Sequence, residues 1–242
     1  MLRAGEEHKG QELQKHGSAF KAVLFDLDGT LIEFKFKVKE SREAMIELLA
    51  SKGFEVGRFD GLPSTQALFN ETENQLKNSK KLSESCSFDQ IRVELSELLD
   101  RFESEAFSEA RPHPGSLGVV RKINEKGILT AVVTNSGRAP VDSLLGVFGF
   151  LPYLTAVITR DEVSRLKPEP DGILTALSRL MVKAEDSVYI GDSVLDIQAS
   201  RKAGVKCVSV ATGLYKAETL MSHRPDYLIH RIEDLEEIVF PA

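Results

Sequence analysis

The chain has 242 residues, 42% of them apolar and 28% charged, with a net charge of −6, which is ample for one large domain or two modest ones with a real core. The acidic balance excludes a global footprint for nucleic acid or an anionic membrane surface, and no apolar run reaches the length of a membrane span. Two cysteines, Cys86 and Cys207, make neither a disulfide framework nor a zinc spacing, which fits a reducing, cytoplasmic setting.

Residues 1–17 are polar and read as a tail. The apolar run in "KAVLFD" (21–26) then predicts a first strand. After it, "FKFKVK" alternates Phe with Lys and reads as a short flap strand with its phenyl face buried. Three helical patterns follow: "SREAMIELLASKG", "STQALFNETENQLKNSKK" and "SFDQIRVELSELLDRFESEAF", the last opening with Ser87 and Gln90 at capping-box spacing. Glu94, Glu97, Asp100, Glu103 and Glu105 of that third helix read as a solvated face, and His113 reads as a loop residue.

From there short apolar runs alternate with amphipathic stretches: strands at 128–134, 155–159, 187–191, 205–211 and 226–230. These runs lack apolar/polar alternation, as strands buried on both faces do. The expected fold is α/β, a doubly wound, Rossmann-like parallel sheet core with an inserted α-helical cap domain. The expected boundaries are a tail of 1–17, a core of 18–32 with 112–242, and a cap of 33–111.

Ligands of open α/β sheets bind beyond the carboxyl ends of the strands, and the reactive residue types fall there. Asp26 and Asp28 close the first strand, Thr134, Asn135 and Ser136 the second, and Asp192 the fourth, with Asp196 one turn on. Lys167 sits in the Pro-rich loop "RLKPEPDG". Carboxylates so close raise each other's pKa unless a cation lies between them. Without His or Cys they make a hard-oxygen site suited to Mg²⁺, which commonly shares its shell with a phosphate. Lys167 and the N–H groups from Thr134 to Gly137 supply donors for that phosphate. One aspartate can then attack phosphorus while its neighbour protonates the leaving alkoxide and activates water.

In this order "DLDGT", "VVTNSG", "LKPEPD" and "GDSVLD" resemble the four motifs of the haloacid dehalogenase-like (HAD) hydrolase superfamily, especially its phosphoglycolate-phosphatase-like branch. That branch carries a small helical cap between motifs one and two, where the helical insert lies here. The resemblance implies Asp26 as nucleophile and metal ligand, and Asp28 as general acid/base with its backbone carbonyl on the metal. It implies Thr134 and the Asn135 backbone as phosphate holders, and Lys167 as the charge joining nucleophile and phosphate. Asp192 is implied as the side-chain Mg²⁺ ligand and Asp196 as an outer or alternative one. Where the branch often reads D-G-T-L-x-D-S, this chain has "DGTLIEF", so the hinge departs from the pattern.

The expected function is a Mg²⁺-dependent phosphatase acting on a small phosphorylated metabolite of phosphoglycolate or sugar-phosphate type, as a monomer or homodimer. Arg58, in the cap segment 53–64, is the candidate for specificity. A phosphomutase of the same fold and a catalytically silent regulatory member are the alternatives. Dehalogenation is disfavoured by Asp28, because a halide leaves without a proton. A receiver-type phosphoacceptor is disfavoured because its acidic pair and phosphorylated Asp come from different strands.

Overall fold

Strand β1 (Ala22–Phe25) is buried along its whole length, and its alternate side chains enter different cores. Val23 and Phe25 pack with Val119, Ile123, Leu144 and Leu235 on one face. Ala22 and Leu24 pack with Ile173, Ala176, Leu177 and Tyr189 on the other. The two-residue period of a strand therefore places helices on both faces of the sheet. The structure, a computed structural model, describes residues 18–33 and 35–241; the tail 1–17 and Phe34 lie outside the described residues.

The other strands are β2 (Ile32–Glu33), β3 (Arg111–Pro112), β4 (Leu129–Val133), β5 (Ala156–Ile158), β6 (Ser187–Gly191), β7 (Lys206–Val210) and β8 (Tyr227–Ile229). The main sheet has the order β5-β4-β1-β6-β7-β8, parallel throughout. All six strands predicted from the apolar runs are present. Sequence order reverses at β1, which has β4 on one side and β6 on the other. That is the switch point where an open α/β sheet offers its ligand crevice.

Between β1 and β4 the chain makes an excursion through α1 (Val38–Ser51), α2 (Thr65–Asn78), α3 (Lys80–Ser85) and α4 (Phe88–Ala106). These helices enclose a separate core that includes Met45, Leu49, Phe69, Ile91 and Leu95. Ser87 and Gln90 close the capping box that starts α4. The single helix predicted over 64–81 is divided at Ser79, whose extended backbone and side chain cap α3. The antiparallel β2–β3 pair joins the excursion's two ends. Further along come α5 (Ser116–Glu125), α6 (Arg138–Val147), α7 (Asp171–Leu180), α8 (Val194–Ala203), α9 (Ala217–Ser222) and α10 (Leu235–Val239).

The expected flap strand does not extend as read. Among the described residues, strand pairing reaches Glu33, opposite Arg111, and goes no further because β3 is itself only two residues long with a 3₁₀ turn (Phe107–Glu109) just before it. Residues 35–37 are irregular, α1 begins at Val38, and Phe36 packs against the cap core. Among the described residues no helix is long and apolar enough to cross a membrane.

Candidate active site

Asp26 follows β1 directly, and its N–H donates to the Ile190 carbonyl at 2.8 Å, extending the pairing with β6 by one residue. Its side chain is therefore delivered, buried, to the carboxyl edge of the sheet. There Lys167 Nζ donates to Asp26 Oδ1 at 2.5 Å, to Asp196 Oδ1 at 2.7 Å and to the Tyr189 hydroxyl at 3.1 Å. The Tyr189 hydroxyl donates to the same Asp196 oxygen at 2.9 Å. Burial works against the charge on Lys167, but Asp196 and Asp26 outweigh it and raise its pKa, so the lysine stays protonated. Burial pushes Asp26 well up, with Lys167 opposing and the surrounding aspartates adding to the rise.

Lys167 is held by its backbone as well. Its N–H donates to Asn135 Oδ1 at 2.9 Å, and Asn135 Nδ2 donates to its carbonyl at 3.3 Å. The turn after β4 is thus joined to the lysine loop through Asn135. In that turn Ser136 N donates to Thr134 Oγ1 at 3.1 Å, and Ser136 Oγ donates to Asp28 Oδ2 at 2.6 Å. Asp28 Oδ1 is buried without a hydrogen-bond partner. Burial pushes Asp28 up to about 6, against the Ser136 hydrogen bond and with help from Glu103.

Asp192 follows β6 and receives a long 3.4 Å hydrogen bond from Thr30 Oγ1. A Cβ at Gly29, whose φ is +82°, or at Gly213 would run into its carboxylate, so glycine is required where the backbone approaches. Burial first and Asp196 next push Asp192 up to about 7. One carboxylate oxygen each of Asp26, Asp192 and Asp196 lies within 4.8 Å of the others. Asp196 differs from the other two in having both oxygens engaged, Oδ1 by Lys167 and Tyr189 and Oδ2 by the Ser193 N–H and hydroxyl.

The structure therefore brings Asp26, Asp28, Thr134, Asn135, Lys167, Asp192 and Asp196 to one edge of the sheet. It does not bring Arg58 there. Its guanidinium pairs with Glu71 at 2.5 Å, its side chain is 47% exposed, and it lines neither cavity at the site. The 3₁₀ turn over Val56–Phe59 buries Phe59 in the cap core and leaves Arg58 at the surface. Arg42, on α1, lines the cavity that holds Asp26, Thr134 and Lys167.

The third cap helix is not a solvated face at Asp100 and Glu103. Arg160, 1% exposed, donates through Nη1 to Glu103 Oε1 and to the Asn135 carbonyl, each at 2.9 Å, and it also pairs with Asp100. Gly137 N donates to Glu103 Oε2 at 3.0 Å. Arg160 and Tyr189 escaped the sequence reading. An Arg just past "TAVIT" shares the strand end with the other site residues, and a Tyr inside a strand buried on both faces needs a partner for its hydroxyl. Those were the available signals.

Carboxylates, a buried lysine and a hydroxyl-bearing turn at the switch point of a parallel sheet define an α/β enzyme built to handle an oxyanion. A family model for haloacid dehalogenase-like hydrolases matches residues 23–210, and the chain belongs to that family. It is 29% identical over 219 residues to pyrophosphatase PpaX of Bacillus velezensis, covering 90% of this chain and 95% of that protein. It is 30% identical over 227 residues to validoxylamine A 7'-phosphate phosphatase of Streptomyces hygroscopicus subsp. limoneus, covering 92% and 97%. A HAD-superfamily hydrolase of subfamily IA from Geobacter sulfurreducens has the same fold, with a TM-score of 0.54 at 17% identity, over 92% of this chain and 98% of that one.

Proposed function

We propose that this chain is a Mg²⁺-dependent phosphatase that hydrolyses a small phosphomonoester through an aspartyl-phosphate on Asp26. The observation that carries the reading is the buried Asp26–Lys167–Asp196 array, with Asp28 two residues from the nucleophile. Lys167 neutralises one Asp26 oxygen and leaves the other to attack phosphorus. Asp196 and Tyr189 fix the ammonium group, so they position it rather than contact substrate. The Thr134 hydroxyl and the backbone of the following turn hold the phosphoryl oxygens. Asp28, with a pKa near 6, gives its proton to the leaving oxygen and later takes one from the water that opens the aspartyl-phosphate. The orphaned, buried Asp28 Oδ1 and the raised values of Asp26 and Asp192 fit a site that receives a cation. Asp26, Asp192 and the Asp28 carbonyl would hold Mg²⁺, which supplies charge neutralisation for the carboxylates and the phosphoryl group. Asp196, saturated by donors, is better suited to positioning than to metal binding.

The phosphatase relatives support a small phosphorylated substrate. The test is phosphate release from p-nitrophenyl phosphate with Mg²⁺ or chelator, wild type against Asp26→Asn. Metal-dependent turnover that Asp26→Asn lowers by at least about a thousandfold is expected. Equal turnover by both proteins would move the nucleophile elsewhere.

A further inference from the structure

The loop that carries Lys167 has almost no backbone ladder of its own. Residues 163–170 run irregularly from a 3₁₀ turn (Arg160–Glu162) to α7. Among the described residues, the Leu166 carbonyl is the one backbone group of 163–167 that pairs with another backbone group, accepting from Glu169 N at 2.9 Å. Yet Lys167 is 6% exposed, and its Nζ meets Asp26 at 2.5 Å and Asp196 at 2.7 Å. Side chains must supply the order that the loop's backbone lacks.

They come from two directions. From the core, Asn135 engages both the N–H and the carbonyl of Lys167. From the cap, Arg92 Nη1 donates to the Ser164 carbonyl at 2.8 Å, and Gln66 Oε1 accepts from Leu166 N at 2.6 Å in a buried bond. Gln66 lies in the first turn of α2 and is 5% exposed. Its Nε2 donates to Asn70 Oδ1 at 2.7 Å, one helical turn on, which keeps the amide oxygen turned to the loop. Leu166 itself packs in the cap core, while the next side chain enters the array at Asp26. Consecutive residues are therefore anchored in different cores, and rotating the peptide between them breaks one anchor or the other. Ser64 and Thr65, just before Gln66, line the cavity that holds Asp26 and Lys167. Gln66 lines neither cavity at the site.

We propose that Gln66, a cap residue that touches no reacting atom, is a positioning residue for Lys167. Through the Leu166 N–H it sets where the ammonium group meets Asp26, so that the lysine is correctly placed only when α2 is seated on the loop. The inference rests on the phosphatase reading for what Lys167 does. Because that charge acts where negative charge develops in the transition state, misplacing it falls chiefly on kcat.

The test removes the acceptor. Gln66→Leu keeps a helix former of similar bulk and leaves the Leu166 N–H without a partner, whereas Gln66→Glu keeps an oxygen there. With p-nitrophenyl phosphate and Mg²⁺, Gln66→Leu should lower kcat about 10–100-fold with KM within about threefold of wild type. Gln66→Glu should recover most of that loss. Asn70→Ala, at an exposed position, frees the Gln66 amide only; it should lower kcat about threefold and serves as the test if Gln66→Leu does not fold. Leu49→Ala opens a cavity in the cap core and breaks none of the loop's hydrogen bonds. It should lower the urea midpoint at least as far as Gln66→Leu and leave kcat within about twofold.

A second readout needs no turnover. The rate at which an amine-acylating reagent labels Lys167, followed by peptide mass, reports local opening of the loop. It should rise about tenfold in Gln66→Leu and stay at the wild-type rate in Gln66→Glu and Leu49→Ala. Where the wild type turns over, an unchanged kcat in Gln66→Leu, or an equal loss in Leu49→Ala, overturns the proposal. Unchanged labelling of Lys167 in Gln66→Leu overturns it as well and leaves Gln66 a packing residue of the cap. Should the wild type release no phosphate, the phosphatase reading fails separately, and the labelling rates alone decide whether Gln66 positions the lysine.

Discussion

On the Asp26 side of the site, Lys167 stands between two carboxylates supplied by the core, Asp26 just after β1 and Asp196 in the first turn of α8. At the seam with the cap, Arg160 stands between Asp100 and Glu103, both carried by α4. Both cations are almost wholly buried, yet they do different work. The first array gathers carboxylates of the core alone, although Leu166, beside Lys167, packs in the cap core and donates its N–H to Gln66 of α2 at 2.6 Å. The second ties the cap helix to the turn after β4, because Arg160 also binds the Asn135 carbonyl and Glu103 also accepts from Gly137 N. Arg92 adds hydrogen bonds from α4 to the Ser164 and Val163 carbonyls of the lysine loop. The difference separates chemistry from the assembly that presents it.

The sharpest test of that separation removes the first cation. Lys167→Met should reduce kcat by at least about a thousandfold, through lost electrostatic stabilisation. It should also cost about 3–5 kcal/mol in urea unfolding, because it leaves buried carboxylates uncompensated. Arg160→Met should cost a similar 3–5 kcal/mol by the same mechanism, but with a kcat loss of only about 10–100-fold, since no reacting atom is touched. A kcat loss as deep as that of Lys167→Met would erase the distinction. Arg160→Met combined with Glu103→Leu should recover part of the stability, as replacing both partners of a buried pair does.

These two arrays also mark how far the sequence could be read. Asp26, Asp28, Thr134, Asn135 and Asp192 were legible as neighbours because each ends an apolar run, and parallel strands buried on both faces deliver their ends to one edge. The main-sheet strands were legible for the same reason. Arg160, Asp100 and Glu103 were not. On a lone helix, Asp100 and Glu103 look like solvated charges, and only the tertiary placement of an arginine 57 positions beyond Glu103 buries them. Tyr189 was hidden for another reason, as a good strand former among apolar neighbours that gives no local sign of the lysine it meets.

A smaller effect comes from pH. Burial and neighbouring carboxylates hold Asp192 at about 7, and burial holds Asp28 at about 6, against an ordinary 3.8. Between pH 4 and 7, roughly, the unfolded chain has released protons that the folded chain still binds, so metal-free stability falls as pH rises through that window. Taken together the two shifts set an upper bound of roughly 7 kcal/mol on the loss in chelator-treated protein. Mg²⁺ favours the ionised carboxylates, so it should raise the unfolding midpoint more at about pH 7.5 than at about pH 5. An Mg²⁺ effect independent of pH would detach the metal from the Asp192 carboxylate.

The weakest effect is expected at Arg58, and it bears on where the cap makes its contribution. Arg58 and Glu71 form an ion pair with the arginine side chain nearly half exposed, a geometry worth at most about 1 kcal/mol. Arg58→Ala should therefore leave kcat/KM within about twofold of wild type and cost no more than about 1 kcal/mol. Arg42 lies on the same subdomain but faces the chamber of Asp26 and Lys167, and Arg42→Ala should raise KM about tenfold by removing a cation from the approach of the phosphoryl group. Measured side by side on one substrate, the two variants compare an arginine the fold turns outward with one it turns inward. A KM rise of more than about fivefold in Arg58→Ala would mean that the 53–64 segment swings over the site during turnover, and that the cap reads its substrate from that loop rather than from α1.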